Sequence, residues 1–129
     1  MFTIKQIHSA HRKVKSGADF PAYIKEIKAL GVTHYEAYVT DGHIDYHKGE
    51  EFTLTDQAKY EPVKIAEYTN KEGFKFELID HQQGKTDYNT FIEMCGKMGI
   101  ERWKVSLEKM TCIYYDKAGN EILTEKIPE

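Results

Sequence analysis

The sequence predicts an α+β fold: two pseudo-repeated helix-helix-β-meander units with a mainly antiparallel sheet. Three observations predict it. First, residues 19–46, DFPAYIKEIKALGVTHYEAYVTDGHIDY, are echoed by residues 87–114, DYNTFIEMCGKMGIERWKVSLEKMTCIY, at a constant offset of 68 with no gap. Asp19/Asp87, Ile24/Ile92, Gly31/Gly99 and Tyr46/Tyr114 are identical, and Phe20/Tyr88, Tyr23/Phe91, Val32/Ile100, Tyr35/Trp103 and Val39/Leu107 are kept in kind. The shared positions are a cap, a helix face, a helix stop and alternate strand positions, which suits a duplication or the convergence of two similar units. Second, within each unit the apolar spacing changes from helical to alternating. Third, strands follow strands through short turns, so they pair antiparallel with the helices set apart.

The elements are justified in order. Thr3 with Gln6 fits a capping box, and Ile4, Ile7, Ala10 or His11, and Val14 give a helix over about 3–15, broken by Ser16-Gly17-Ala18. Asp19 caps a second helix with Pro21 in its first turn. Tyr23, Ile24, Ile27 and Leu30 are its buried stripe, and Gly31 ends it. Residues 33–40 alternate as a strand, and Asp41-Gly42 reads as a two-residue type I′ loop. That loop sets Thr40 opposite His43, Val39 opposite Ile44, Tyr38 opposite Asp45, Ala37 opposite Tyr46 and Glu36 opposite His47. One face is then apolar (Tyr35, Ala37, Val39, Ile44, Tyr46). The other is polar (His34, Glu36, Tyr38, Thr40, His43, Asp45, His47).

Residues 51–55 read as a weaker third strand, 56–58 as a turn, and 60–67 as a strand whose Pro62 places it at an edge or an irregular start. Thr69 with Glu72 is a second capping box, opening a helix to about residue 82 on Phe74, Leu78 and His81 or Ile79. After Gly84-Lys85-Thr86, Asp87 caps a fourth helix, with Phe91, Met94 or Cys95, and Met98 as its face, stopped by Gly99. Strands follow over 100–107, 111–115 and 121–126, the last two joined by a loop in which Gly119 takes positive φ, and Pro128 ends the order. The internal repeat covers about 3–55 and about 69–126.

A chain of 129 residues, 40% hydrophobic and 30% charged, reads as one soluble domain over 1–129. Net charge is −3 with both signs mixed throughout, which argues against nucleic acid and against a polybasic membrane anchor. No apolar run approaches the roughly 20 residues of a membrane span, and residues 1–13 have a helical period rather than the form of a signal peptide. The expected address is cytoplasmic, with Cys95 and Cys112 as buried free thiols.

Chemistry is looked for among the six histidines. His43, Asp45 and His47 share one side of a strand, with Glu36 and His34 across from them. Imidazole and carboxylate at that spacing suit zinc or another divalent metal. The same pattern is what the solvent side of a half-buried hairpin looks like, and both readings stay open. His8 and His11 lie one turn apart, with His11 and His81 on or beside apolar stripes. No G-x-S-x-G, phosphate loop or H-E-x-x-H is present, so no catalytic residue is assigned and no cofactor is expected outside the metal alternative.

Residues 81–88 (HQQGKTDY), 30–43 (LGVTHYEAYVTDGH) and 107–121 (LEKMTCIYYDKAGNE) resemble the YdfO/YbcV-like family, small bacterial and prophage-borne proteins of unknown function, some labelled "phage envelope protein". The resemblance covers almost the whole chain. It implies an α+β fold and carries over no catalytic residue. The expected function is a small cytoplasmic binding or accessory protein, prophage-derived, acting on a protein partner or a small molecule, with homodimerisation left open. The alternative is a divalent-metal-binding protein or metal-dependent enzyme using His43, Asp45, His47, Glu36 and His34.

Overall fold

In a computed structural model that describes residues 1–15 and 19–127, the helices are α1 (Ile4–His11), α2 (Phe20–Leu30), α3 (Lys71–Gln82) and α4 (Tyr88–Lys97). The strands are β1 (His34–Tyr38), β2 (Ile44–Lys48), β3 (Phe52–Asp56), β4 (Ile100–Ser106), β5 (Thr111–Asp116) and β6 (Glu121–Lys126). The class is α+β, and the strands form one antiparallel sheet in the order β3-β2-β1-β4-β5-β6. That the two meanders join edge to edge through β1 and β4 was not readable from the sequence. The breaks assigned to Ser16-Gly17-Ala18 and Pro128 lie outside the described residues.

Local chemistry explains most boundaries. Thr3 and Gln6 form the expected capping box at α1. Asp87 caps α4 by accepting the Thr90 N–H at 2.7 Å. Gly31 (φ 109°) ends α2 and Gly99 (φ 82°) follows α4. At Gly99 a Cβ would sit 2.6 Å from the Tyr68 carbonyl oxygen, so only glycine fits the helix exit. Two expected caps are corrected. Asp19 stands at the N-cap of α2 but makes no side-chain cap bond; its carboxylate accepts the Lys15 N–H instead. Asn70, not Thr69, caps α3 by accepting the Gly73 N–H, while the Thr69 hydroxyl bonds Gly99 O.

Two further expectations fail. The β1–β2 register is His34↔His47, Tyr35↔Tyr46, Glu36↔Asp45 and Ala37↔Ile44, two residues away from that of a two-residue loop. A type I′ turn needs positive φ at both central residues, but Gly42 (φ 80°) has it and Asp41 does not. The wider loop is satisfied elsewhere: Val39 N–H bonds Glu101 O, Val63 N–H bonds Thr40 O, and the Tyr60 hydroxyl donates to Val39 O at 2.6 Å. A slip of two leaves every side chain on its expected face. The strand expected over 60–67 is an irregular crossing segment. Its donors go to scattered acceptors, Val63 to Thr40 O and Ala66 to Gly96 O, so no ladder forms.

All four helices cover one side of the sheet. Ile7, Tyr23, Ile24, Ile27, Phe74, Leu78, Phe91, Ile92 and Cys95 join Tyr35, Val39, Tyr46, Val105, Cys112 and Tyr114 in a single buried cluster. The helices pack in sequence pairs, α1 on α2 and α3 on α4. The element order helix-helix-strand-strand-strand occurs twice. The β4–β5 pairs Arg102↔Tyr115, Trp103↔Tyr114, Lys104↔Ile113 and Val105↔Cys112 stand 68 residues on from the four β1–β2 pairs. The outer pairs break this offset, because Tyr46 faces Leu54 whereas Tyr114 faces Leu123.

Candidate functional site

The helix layer leaves the other face of the sheet open, and the registers set its side chains in rows across the strands. One row runs Thr53, His47, His34, Ser106, Thr111 and Lys126. The next runs Thr55, Asp45, Glu36, Lys104, Ile113 and Thr124. A shorter one holds Tyr38, Arg102 and Tyr115. Neighbours within a row are close enough for their side chains to interact directly.

The five candidate ligands are divided among these rows. His34 and His47 meet as stacked rings, centroids 4.4 Å apart and planes 7° from parallel. Their Nδ1 atoms lie 3.0 Å from Thr33 Oγ1 and 3.0 Å from Thr53 Oγ1, respectively. Asp45 is in the next row, where Oδ1 accepts the Thr55 hydroxyl at 2.7 Å. Glu36 lies opposite Asp45, but its carboxylate accepts from Arg102 Nε at 3.1 Å. His43 leaves the strand for the turn, where it stacks on Tyr38 (4.2 Å, 9°) and pairs with the Asp41 carboxylate. Of these five, the His34 and His47 rings are in contact. Among the described residues no group of three or more His, Cys, Asp and Glu is arranged to hold a metal ion.

The electrostatics follow from these neighbours. Burial lowers the His34 pKa, and His47 and Lys104 push it the same way, against weaker pulls from Glu36 and Glu108. At Asp41 burial works upward, but the bonds from the His43 backbone and ring outweigh it and the net shift is down.

On the other half of this face the sequence sets Arg102, Lys104, Ser106, Thr111 and Ile113 at the positions corresponding to the first hairpin's polar side, without showing the contacts they make. At the positions equivalent to His34 and His47, the Arg102 guanidinium lies over the Tyr115 ring, 4.4 Å from its centroid. Arg102 also reaches Glu101 at 3.5 Å. Lys104 stands directly opposite Glu36 in the register. Because Arg102 has taken that carboxylate, no carboxylate among the described residues lies within ion-pair distance of Lys104. The repeat itself was the available signal, since it pairs positions 34 and 47 with 102 and 115.

A second polar cluster lies on the helix side. His8 Nε2 is 2.9 Å and Lys59 Nζ 3.2 Å from Asp56 Oδ2, a carboxylate with a side chain only 13% exposed. His11 stands edge-on to Tyr23 (5.4 Å), whose hydroxyl is 3.5 Å from that of Tyr46. The Asp56 oxygen already accepts from both His8 and Lys59, so the cluster ties α1 to edge strand β3 and the following turn. The spacing of His8 and His11 hinted at a shared face; Asp56, read as a turn residue, gave no hint. Cys95 and Cys112 are buried, and burial raises both thiol pKa values, Cys112 to about 12, so neither is a reactive thiolate. A cavity of about 150 Å³ beside Ile24, Lys25, Lys28 and Met110 is below the usual size of ligand pockets. Among the described residues no helix is long and apolar enough to cross a membrane.

A family model described as a protein of unknown function (DUF1398) matches residues 8–126. Among curated proteins, none matches.

Proposed function

The chain belongs to the DUF1398 family of proteins of unknown function, and from that premise we propose that it is a small binding or accessory module, without catalysis of its own, that offers the open face of its sheet to a protein partner. The observation that carries this reading is the state of that face. Its rings and its arginine are held in stacked pairs, and its carboxylates are bonded to neighbours. A surface ordered in this way loses little side-chain entropy on docking, whereas a catalytic site needs an acid, base or nucleophile left in play. The resemblance to YdfO/YbcV-like proteins supports a prophage-derived, cytoplasmic protein. The two halves are read as copies of one ancestral unit. Failure of residues 19–46 to superimpose on 87–114 would sink that reading.

The test places a photo-cross-linking residue at Thr53, on the open face, or at Glu93, on the exposed side of α4, in the full chain expressed in its host. A single protein adduct from Thr53 and not from Glu93 is expected. Equal capture from both positions, or none from either, overturns the reading.

One observation favours a second reading, a divalent metal held by the His34 and His47 rings. The Thr33 hydroxyl has one proton and bonds the His47 carbonyl oxygen at 3.1 Å, so His34 Nδ1 is the donor in its own bond to Thr33. That leaves Nε2 of neutral His34 with a bare lone pair, as a metal ligand requires. Zinc titration of the full chain near neutral pH tests it. Binding that survives His34→Ala with His47→Ala removes it.

A further inference from the structure

We propose that the outer face of α3 is a self-association surface, on which a second copy of the chain docks its own α3 antiparallel about a two-fold axis. α3 lies on the covered side of the sheet, so this contact and docking on the open face are independent. The helix is apolar on two sides. Phe74 and Leu78 are buried in the core. Phe76 and Ile79 point away from it, 68% and 52% exposed. Tyr68, two residues ahead of the Asn70 cap, is a third large exposed side chain at this end. One apolar stripe seats a surface helix on its domain; a second stripe marks a surface for another molecule.

The charges on α3 identify that molecule as a copy of the chain. Glu72, Phe76, Ile79 and Gln83 are spaced by four, three and four residues and so share a face. Gln83 keeps to this face because its N–H still bonds Ile79 O. The spacing is the same from either end. An antiparallel copy therefore sets Phe76 against Ile79 and Glu72 against Gln83, each contact made twice. Among the described residues no hydrogen bond or ion pair engages the side chain of Glu72, Lys75 or Gln83. In the pair the Glu72 carboxylate accepts from the Gln83 carboxamide of the second copy. On one flank Lys75 comes beside Gln82, which holds the Glu125 carboxylate at 3.0 Å, so the ammonium group meets an acid across the two-fold. On the other flank Asp80, paired with Lys85 at 3.5 Å, comes beside Gly73. The helix dipoles oppose one another, start against end. A parallel copy would instead set Glu72 on Glu72. The face of one short helix is smaller than a stable interface needs, so the pair forms at high concentration, with a Kd of about 100 µM.

Sedimentation velocity of the full chain, from about 1 µM to about 500 µM at low ionic strength, tests this. A monomer–dimer equilibrium without larger species is expected, because a two-fold contact closes on itself. Phe76→Gln raises Kd about tenfold or more and leaves the urea midpoint unchanged, since the ring is exposed. Lys75→Glu raises Kd about threefold, and Gln83→Lys, which gives Glu72 a cation to meet, lowers it about threefold. Added salt removes both effects. Glu93→Gln, on the exposed side of α4, changes nothing. A chain that stays monomeric over the whole range, an equilibrium indifferent to Phe76→Gln, or a Kd lowered by Glu72→Gln, as a parallel pair requires, overturns the proposal. If the chain is monomeric and a photo-cross-linking residue at Phe76 captures a different protein, the face belongs to that partner and not to a second copy.

Discussion

His81 lies flat against Phe91, ring centroids 4.1 Å apart, with Nδ1 2.9 Å from Thr86 Oγ1. Burial lowers its pKa, as it does for His11 and His34. In all three the folded-state pKa lies below the unfolded value of about 6.5. As pH falls through that value, the unfolded chain takes up protons before the folded one does, and stability is lost. The urea midpoint of the full chain is expected to be highest above about pH 7 and to decline toward about pH 5, with His81→Gln flattening the decline. A midpoint that rises over this interval contradicts the assignment. His11 and His81 could be placed beside apolar stripes from helical spacing alone. The partners of His34 and His47 could not, because their Thr33 and Thr53 hydroxyls depend on a register that spacing does not specify.

The helices and six of the seven expected strands were legible because each carries its own period and its own terminator. Asp87 and the Thr3–Gln6 box show the same local logic, since cap and donor lie within four residues. The misses arise where a distant segment supplies the bond. Thr69 turns away from the helix start to bond Gly99 O, and Asn70 caps in its place. Asn70→Ala is accordingly expected to cost about 1 kcal/mol in chemical denaturation, with Asn70→Ser retaining most of the stability. Equal losses for both would show that the cap bond is not what the asparagine supplies. The first hairpin went astray for the same reason. Val63, some 20 residues further on, bonds the Thr40 carbonyl that a tight turn would have used, and the Tyr60 hydroxyl bonds the neighbouring Val39 carbonyl.

The sheet as a whole was legible only in halves. Two meanders could be read from alternation, but the β1–β4 seam has no short-range signature, since its partners lie 64 to 72 residues apart, as His34↔Ser106 and Tyr38↔Arg102 show. The polar face of the first hairpin was identified correctly as a face, and its use as one half of a wider surface was hidden until the seam was known. The seam also sets the order of local opening. Amide exchange is expected to be slowest in β1 and β4, each flanked by strands on both sides, and fastest in β3 and β6 at the edges. Exchange in β3 or β6 that outlasts β1 would show that the two halves open independently.

In the seam Glu36 lies opposite Lys104, its own counterpart 68 residues on. Two identical subunits meeting there would be obliged to set each residue against a copy of itself, acid on acid or base on base. A continuous polypeptide is released from that obligation. The middle of this sheet therefore has a left and a right that differ in sign, and an arriving molecule can be oriented as well as held.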